Sequence, residues 1–213
     1  MCSSDLSLLL VSAVAGAFLG AASTPTMEVL LAVLMGGALA SGGAASLNMA
    51  YEGEIDQKMG RTKNRPVAEG RISPLTAALF GLALNAGSFA IFSLMTSVLA
   101  GLLAITGTVL YFGLYTVILK RTTPQNIVLG GAAGAVPPLV GFAAGTNTLN
   151  LSAWYMFIII FFGTSPHFWA LAIMIKDDYA KANIPMLPVV RGVRHTTVQI
   201  TLYTVILAAL TIL

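Results

Sequence analysis

Apolar runs, separated by short polar segments, recur along the whole chain. Seven of these runs approach or exceed the length of about 20 residues that an α-helix needs to cross a hydrocarbon core of roughly 30 Å. They cover residues 6–22, 27–50, 75–95, 97–118, 126–144, 151–175 and 198–213. We therefore predict an all-α fold, a polytopic integral membrane helical bundle in which residues 1–213 form a single transmembrane domain.

The composition supports this prediction. Hydrophobic residues make up 57% of the chain and charged residues only 9%, which leaves too little polar surface for a water-soluble globule of this size. The first and last runs are short, and the chain begins inside one and stops inside the other. We therefore expect a fragment of a longer protein whose first and last helices are incomplete.

The basic residues are distributed asymmetrically among the connections between the runs. All of them follow the second, fourth or sixth run, whereas Glu28 is the only charged residue near an odd-numbered connection. By the positive-inside rule, these basic connections lie in the cytoplasm and the protein lies in the cytoplasmic (inner) membrane. The same bias explains the pI of about 9.2, and no basic stripe interleaved with aromatic residues indicates a nucleic-acid partner.

The segment NMAYEGEIDQKMGRTKNRP, which begins at Asn48, is the most densely charged part of the chain. Asn48, Glu52 and Asp56 are spaced four residues apart, so they share one face of a helix that continues the second run. Mg²⁺ would relieve the repulsion between the two carboxylates, since it accepts one or two carboxylates together with water and phosphate oxygens. Alternatively, this segment is a solvated loop whose charges only pair with one another.

Basic residues follow directly, and they suit phosphate oxygens as charge-assisted hydrogen-bond donors. They are Lys58, Arg61, Lys63 and Arg65.

A second polar cluster lies at the end of the sixth run, in FFGTSPHFWALAIMIKDDYAKANIPMLPVV. His167 falls within the membrane, where an ionisable residue indicates a functional role, although a hydrogen-bonded interhelical histidine is the alternative. Asp177 and Asp178 lie at the cytoplasmic end, with Lys181 beyond them. Two acidic clusters on one face of an apolar bundle suit a substrate with a diphosphate head and a long apolar tail. Metal bound to the diphosphate would improve the leaving group.

These two segments resemble motifs of one known family. The first resembles N-x-x-x-D-x-x-x-D followed by M-x-R-T-K-N-R-P, and the second resembles a P-H-F-W-A-L-A segment followed by D-D-Y and I-P-M-L-P-V. The family is that of the protohaem IX farnesyltransferases, or haem O synthases, in the UbiA superfamily of intramembrane prenyltransferases. The resemblance implies a bundle of nine transmembrane helices, of which about seven are present here.

The resemblance also implies a reaction and a role for each matching residue. The farnesyl group of farnesyl diphosphate would join a vinyl group of haem b, with water supplying a hydroxyl, to give haem O and diphosphate. Mg²⁺ would act through the diphosphate, and haem A synthase or terminal oxidase assembly factors are candidate partners. The implied catalytic residues are Asn48, Glu52, Asp56, Asp177 and Asp178, with Asn48, Glu52, Asp56 and Asp178 as metal ligands. The implied diphosphate-binding residues are Arg61, Lys63, Arg65 and Lys181, and His167 would face the haem as an iron ligand or a polar partner.

Two features depart from the family pattern. Glu52 stands where family members usually have aspartate, which keeps the charge but adds a methylene group. The basic segment that usually opens the first span is replaced by MCSSDL.

Two other functions are open at this stage. A prenyltransferase of the same superfamily could use an aromatic quinone precursor as acceptor. A transporter or channel could bind ions at His167 and the carboxylates, but the internal repeats typical of transporters are not evident.

Overall fold

The computed structural model describes residues 3–21 and 24–212, which form helices and short connections with no β-strand among them. The first two residues of the MCSSDL segment lie outside the described residues. The helices are α1 (Ser3–Gly20), α2 (Met27–Lys58), α3 (Pro74–Met95), α4 (Val98–Thr122), α5 (Asn126–Thr146), α6 (Leu151–Met174), α7 (Lys176–Lys181), α8 (Leu187–Val190) and α9 (Gly192–Ile212).

Six of the described helices, α2 to α6 and α9, are long and apolar enough to cross a membrane. The apolar part of α1, Leu6–Gly20, is shorter. Over the residues that the structure describes, each predicted run therefore forms a helix, and the protein is a polytopic membrane protein. The second run continues as helix through Lys58, as the spacing of Asn48, Glu52 and Asp56 predicts. α9 begins at Gly192, six residues before the predicted run 198–213.

α5 occupies the centre of the bundle, because it packs against α1, α2, α4 and α6. Glycines allow α1 and α5 to approach until their backbones touch. A Cβ atom on Gly141 would overlap the carbonyl oxygen of Ala13, and one on Gly16 would overlap that of Pro138. Small residues at helix contacts are the usual means of close packing in membranes. α9 packs against α6 and leaves most of its surface uncovered.

The second half of α4 departs from regular α-helical geometry. Residues Val109–Leu119 wind as a π-helix, and the Thr116 hydroxyl donates to the carbonyl oxygen of Tyr111 at 3.0 Å. Such segments are rare in proteins and are often found at functional sites. This segment contains Thr116, and Lys120 follows directly after the segment. Both residues lie at the end of the bundle where α2 and α6 also end. We call this end the charged end.

A hydrophobic cluster holds the connections of the charged end together. It joins Met59, directly after α2, to residues of α6 and of the segment that follows α7. Its buried members are Met59, Ile127, Trp169, Ala172, Ala182, Ile184, Met186 and Leu187. The two charged segments singled out in the sequence are therefore packed against each other.

Candidate functional site

One face of α2 turns three polar side chains into the charged end of the bundle. Asn48, Glu52 and Asp56 are only 3%, 1% and 2% exposed, respectively. The Asn48 amide donates to Glu52 Oε2 at 2.8 Å, as expected for residues four apart on a helix. The predicted shared face is confirmed, and burial excludes the solvated-loop alternative for these three residues.

Arg65 returns from the connection after α2 to close this face. Its Nη1 atom donates to both carboxylate oxygens of Asp56, at 3.0 and 2.8 Å, and to Asn48 Oδ1 at 3.2 Å. The Thr62 hydroxyl donates to the backbone carbonyl of Asp56 at 3.1 Å, which holds the returning segment in place. Charge-assisted bonds of this kind are stronger than neutral ones.

Lys120 neutralises the second carboxylate. Its Nζ atom lies 2.6 Å from Glu52 Oε2, and the neighbouring Thr116 hydroxyl accepts from Asn48 Nδ2 at 3.2 Å. The other oxygen of Glu52, Oε1, is buried without a hydrogen-bond partner. A buried carboxylate oxygen with free lone pairs can accept a cation or a donor from a ligand. Sequence reasoning missed Lys120, because the positive-inside rule already accounted for its charge.

The second acidic cluster reaches the same end of the bundle on α7. Asp178 Oδ2 accepts from the backbone N–H of Gly60 at 3.3 Å, which joins the connection after α2 to α7. Lys181 Nζ lies 3.9 Å from Asp178 Oδ1, and both side chains are partly or largely exposed. Asp177 is exposed and makes no side-chain hydrogen bond to any described residue. The structure therefore joins Asp178 to the first segment and leaves Asp177 at the surface.

Tyr179 lies beside both clusters and was also missed in the sequence. It packs against the hydrophobic cluster of the charged end. Burial is the main cause that raises the pKa of Tyr179 above its ordinary value; the Arg61 guanidinium opposes this increase and the Glu52 carboxylate adds to it. Tyr179 is therefore a neutral hydrogen-bonding group within electrostatic range of both segments. Its position in the D-D-Y run was the available signal.

The remaining predicted residues are open to ligands. Arg61 and Lys63 are exposed on the connection after α2 and make no side-chain hydrogen bond to the described residues. His167 is exposed on α6 and touches the ring of Phe168 edge-on, with centroids 5.4 Å apart. It forms no hydrogen bond within the described part of the chain, so none of the described helices supplies the interhelical partner of the alternative reading. At a rise of 1.5 Å per residue, it lies roughly 10 Å before the end of α6.

The carboxylate oxygens at the charged end suit a cation whose remaining ligands are water or phosphate oxygens. Among the described residues, no three histidine, cysteine, aspartate or glutamate side chains converge closely enough to hold a metal ion alone. Mg²⁺ needs no such cage, since it combines one or two carboxylates with water and phosphate oxygens. The unpartnered Oε1 of Glu52 and the neighbouring Asp56 carboxylate fit this requirement.

Comparison with known proteins identifies the family. The model of the UbiA prenyltransferase family matches residues 9–213. The protoheme IX farnesyltransferase of Trichodesmium erythraeum is 50% identical over 206 residues, which are 97% of this chain and 63% of that protein. The enzyme of the same name from Gloeobacter violaceus is 52% identical over 184 residues, covering 86% of this chain and 60% of that protein. The chain thus spans less than two thirds of the length of these relatives.

Solved structures show the same bundle. A UbiA homolog from Archaeoglobus fulgidus bound to DMAPP and Mg²⁺ superimposes with a TM-score of 0.79 at 18% identity, covering 97% of this chain and 73% of that one. The same homolog bound to GPP and Mg²⁺ gives an equal TM-score and covers 72% of that chain. Likeness at this identity establishes the fold, and the family model establishes the relationship: the chain belongs to the UbiA prenyltransferase family.

Proposed function

We propose that the protein transfers the farnesyl group of farnesyl diphosphate to a vinyl group of haem b, giving haem O and diphosphate. The observation that carries this proposal is the hydrogen bond from Gly60 to Asp178, which joins the two segments that carry the acidic clusters at one end of an apolar bundle. The names of the relatives supply the acceptor. The homolog bound to DMAPP and Mg²⁺ supports a diphosphate site that uses Mg²⁺.

The buried face of α2 supplies the ligands for the diphosphate head. We assign the metal ligands to Asn48, Glu52, Asp56 and Asp178, with Asp177 as a further member of the second cluster. When bound, Mg²⁺ would neutralise the charge that develops on the diphosphate as the carbon–oxygen bond breaks. We assign the diphosphate-binding cations as a set, Arg61, Lys63, Arg65 and Lys181, and add Lys120 because it lies 2.6 Å from Glu52.

The helices of the bundle hold the apolar tail and exclude water from the allylic cation. The broken bond joins the first farnesyl carbon to a diphosphate oxygen. That carbon bonds to the terminal vinyl carbon of haem b, water adds its hydroxyl to the other vinyl carbon, and one proton is released. We assign His167 to face the haem as an iron ligand or a polar partner; its exposure on α6, roughly 10 Å before the end of that helix, supports this assignment.

We also propose that the charged end faces the cytoplasm across the inner membrane. The basic residues all lie in or beside the connections that follow the second, fourth and sixth predicted runs, and the contacts of Lys120 and Gly60 bring those connections together. The apolar product must pass to an acceptor in the same membrane, so haem A synthase or terminal oxidase assembly factors are the proposed partners.

The test supplies the purified full-length protein with haem b, farnesyl diphosphate and Mg²⁺, and detects haem O by mass spectrometry. We expect haem O to form and to disappear when EDTA removes the metal. The control variant Arg71→Gln should also form haem O, because Arg71 pairs with Glu69 on the exposed part of the connection after α2. A folded protein that makes no haem O contradicts the proposal. Product formed only from an aromatic quinone precursor, or ion flux without product, would favour the other functions.

A further inference from the structure

The carboxylates that the proposed function gives to a metal are held by cations of the chain itself. Arg65 donates to both oxygens of Asp56, and Lys120 lies 2.6 Å from Glu52. Asp56 and Glu52 are almost fully buried, whereas Arg65 and Lys120 have side chains 20% and 13% exposed. The cation is therefore the more exposed partner in both pairs.

This arrangement is formally neutral, since two carboxylates face two cations. A divalent cation that entered alone would leave two excess positive charges in a buried site, which is costly. A diphosphate that entered alone would bring excess negative charge to cations that are already engaged. When the two enter together, their charges partly offset each other, and the anion can take the cations that the metal displaces.

We propose, resting on the proposed function, that Arg65 and Lys120 are resident counter-ions that exchange partners when metal and diphosphate bind together. They release Asp56 and Glu52 and donate to phosphate oxygens instead. Arg65 has room for this movement, since it lies on a connection outside the helices and is partly exposed. Metal and diphosphate binding are therefore mutually dependent.

Isothermal titration of the purified full-length protein tests this dependence, with magnesium chloride, inorganic pyrophosphate in EDTA, and magnesium pyrophosphate as separate titrants. We expect magnesium pyrophosphate to bind at least about 100-fold more tightly than either component. This ratio is two tenfold steps, each of which corresponds to about 1.4 kcal/mol. Magnesium alone binding as tightly as the complex would overturn the exchange and leave the proposed function standing. A protein that binds no magnesium pyrophosphate would contradict the proposed function itself.

A variant gives an opposite-sign test. Arg65→Gln removes the group that competes for Asp56, so magnesium alone should bind about tenfold more tightly, while magnesium pyrophosphate binds more weakly. Arg71→Gln is the matched control, because it makes the same substitution at an exposed position on the same connection, where Arg71 pairs with Glu69 and not with Asp56. Equal gains in magnesium affinity for both variants would show a general charge effect and refute the exchange. Should Arg65→Gln fail to fold, Lys120→Gln tests the same sign at Glu52.

Discussion

The ion pair between Glu52 and Lys120 links α2 to α4 inside the charged end, and a double-mutant cycle measures its strength. Lys120→Gln leaves a carboxylate that is 1% exposed, with Asn48 as its one remaining hydrogen-bond donor of the unchanged protein among the described residues. Removing one partner of a buried pair costs about 3–5 kcal/mol. Glu52→Gln keeps an acceptor for Asn48 and leaves a cation nearer the surface, so it should cost about 1.5–3 kcal/mol.

The double variant Glu52→Gln/Lys120→Gln carries no uncompensated charge. Its loss should therefore be smaller than the sum of the two single losses by about 2 kcal/mol or more, within the range measured for residues in contact. At about 2–4 °C per kcal/mol for a chain of this size, Lys120→Gln should lower the unfolding temperature by roughly 10 °C.

The assay is thermal unfolding in one detergent at one scan rate, followed by tryptophan fluorescence, with Arg71→Gln as the exposed control. If the stability losses of the two single variants add up to the loss of the double variant, Glu52 and Lys120 do not stabilise each other and the reasoning is refuted. Single variants that unfold at the temperature of the unchanged protein would show that the pair does not contribute to stability.

Three further predictions concern the site and the bundle. Asp56→Ala should abolish haem O formation while the haem Soret band of the purified protein persists; normal turnover would contradict the metal role. Gly141→Ala should lower the unfolding temperature by overpacking against Ala13, a cost of about 1–3 kcal/mol or more, whereas a Cβ on Gly145 makes only a 3.6 Å contact and Gly145→Ala should be neutral. Because burial raises the pKa of Tyr179 above 10.0, its neutral form adds stability that is complete below pH 10.0 and is lost as pH rises above it. Tyr179→Phe should lack this portion of the alkaline loss in melting scans from pH 8 to 11, and identical profiles would contradict the buried phenol.

The helices could be predicted because the thickness of the hydrocarbon core sets the number of consecutive apolar residues that a spanning helix needs. The extension of α2 was also predictable, since the spacing of Asn48, Glu52 and Asp56 has one face only if the helix continues. The start of α9 was missed because Arg194 and His195 are polar and exposed, and a solvated helical turn has the same composition as a loop.

The pairing within the site required the three-dimensional structure. Nothing in the apolar sequence around Thr116 indicates a π-helix, although that geometry brings Thr116 to Asn48 and Lys120 to Glu52. The contact between Gly60 and Asp178 joins residues 118 positions apart, and no local pattern reports such a separation. The assignments of metal and haem ligands remain predictions.

The unbroken course of α2 has a consequence for how the protein responds to its lipid surroundings. Its 32 residues span about 48 Å at 1.5 Å per residue, against roughly 30 Å of hydrocarbon. The carboxylates near its end are thus carried on a single helix that is longer than the hydrocarbon core is thick. A thicker or thinner bilayer changes the tilt of that helix, and so changes the depth of Glu52 and Asp56 relative to the lipid headgroups.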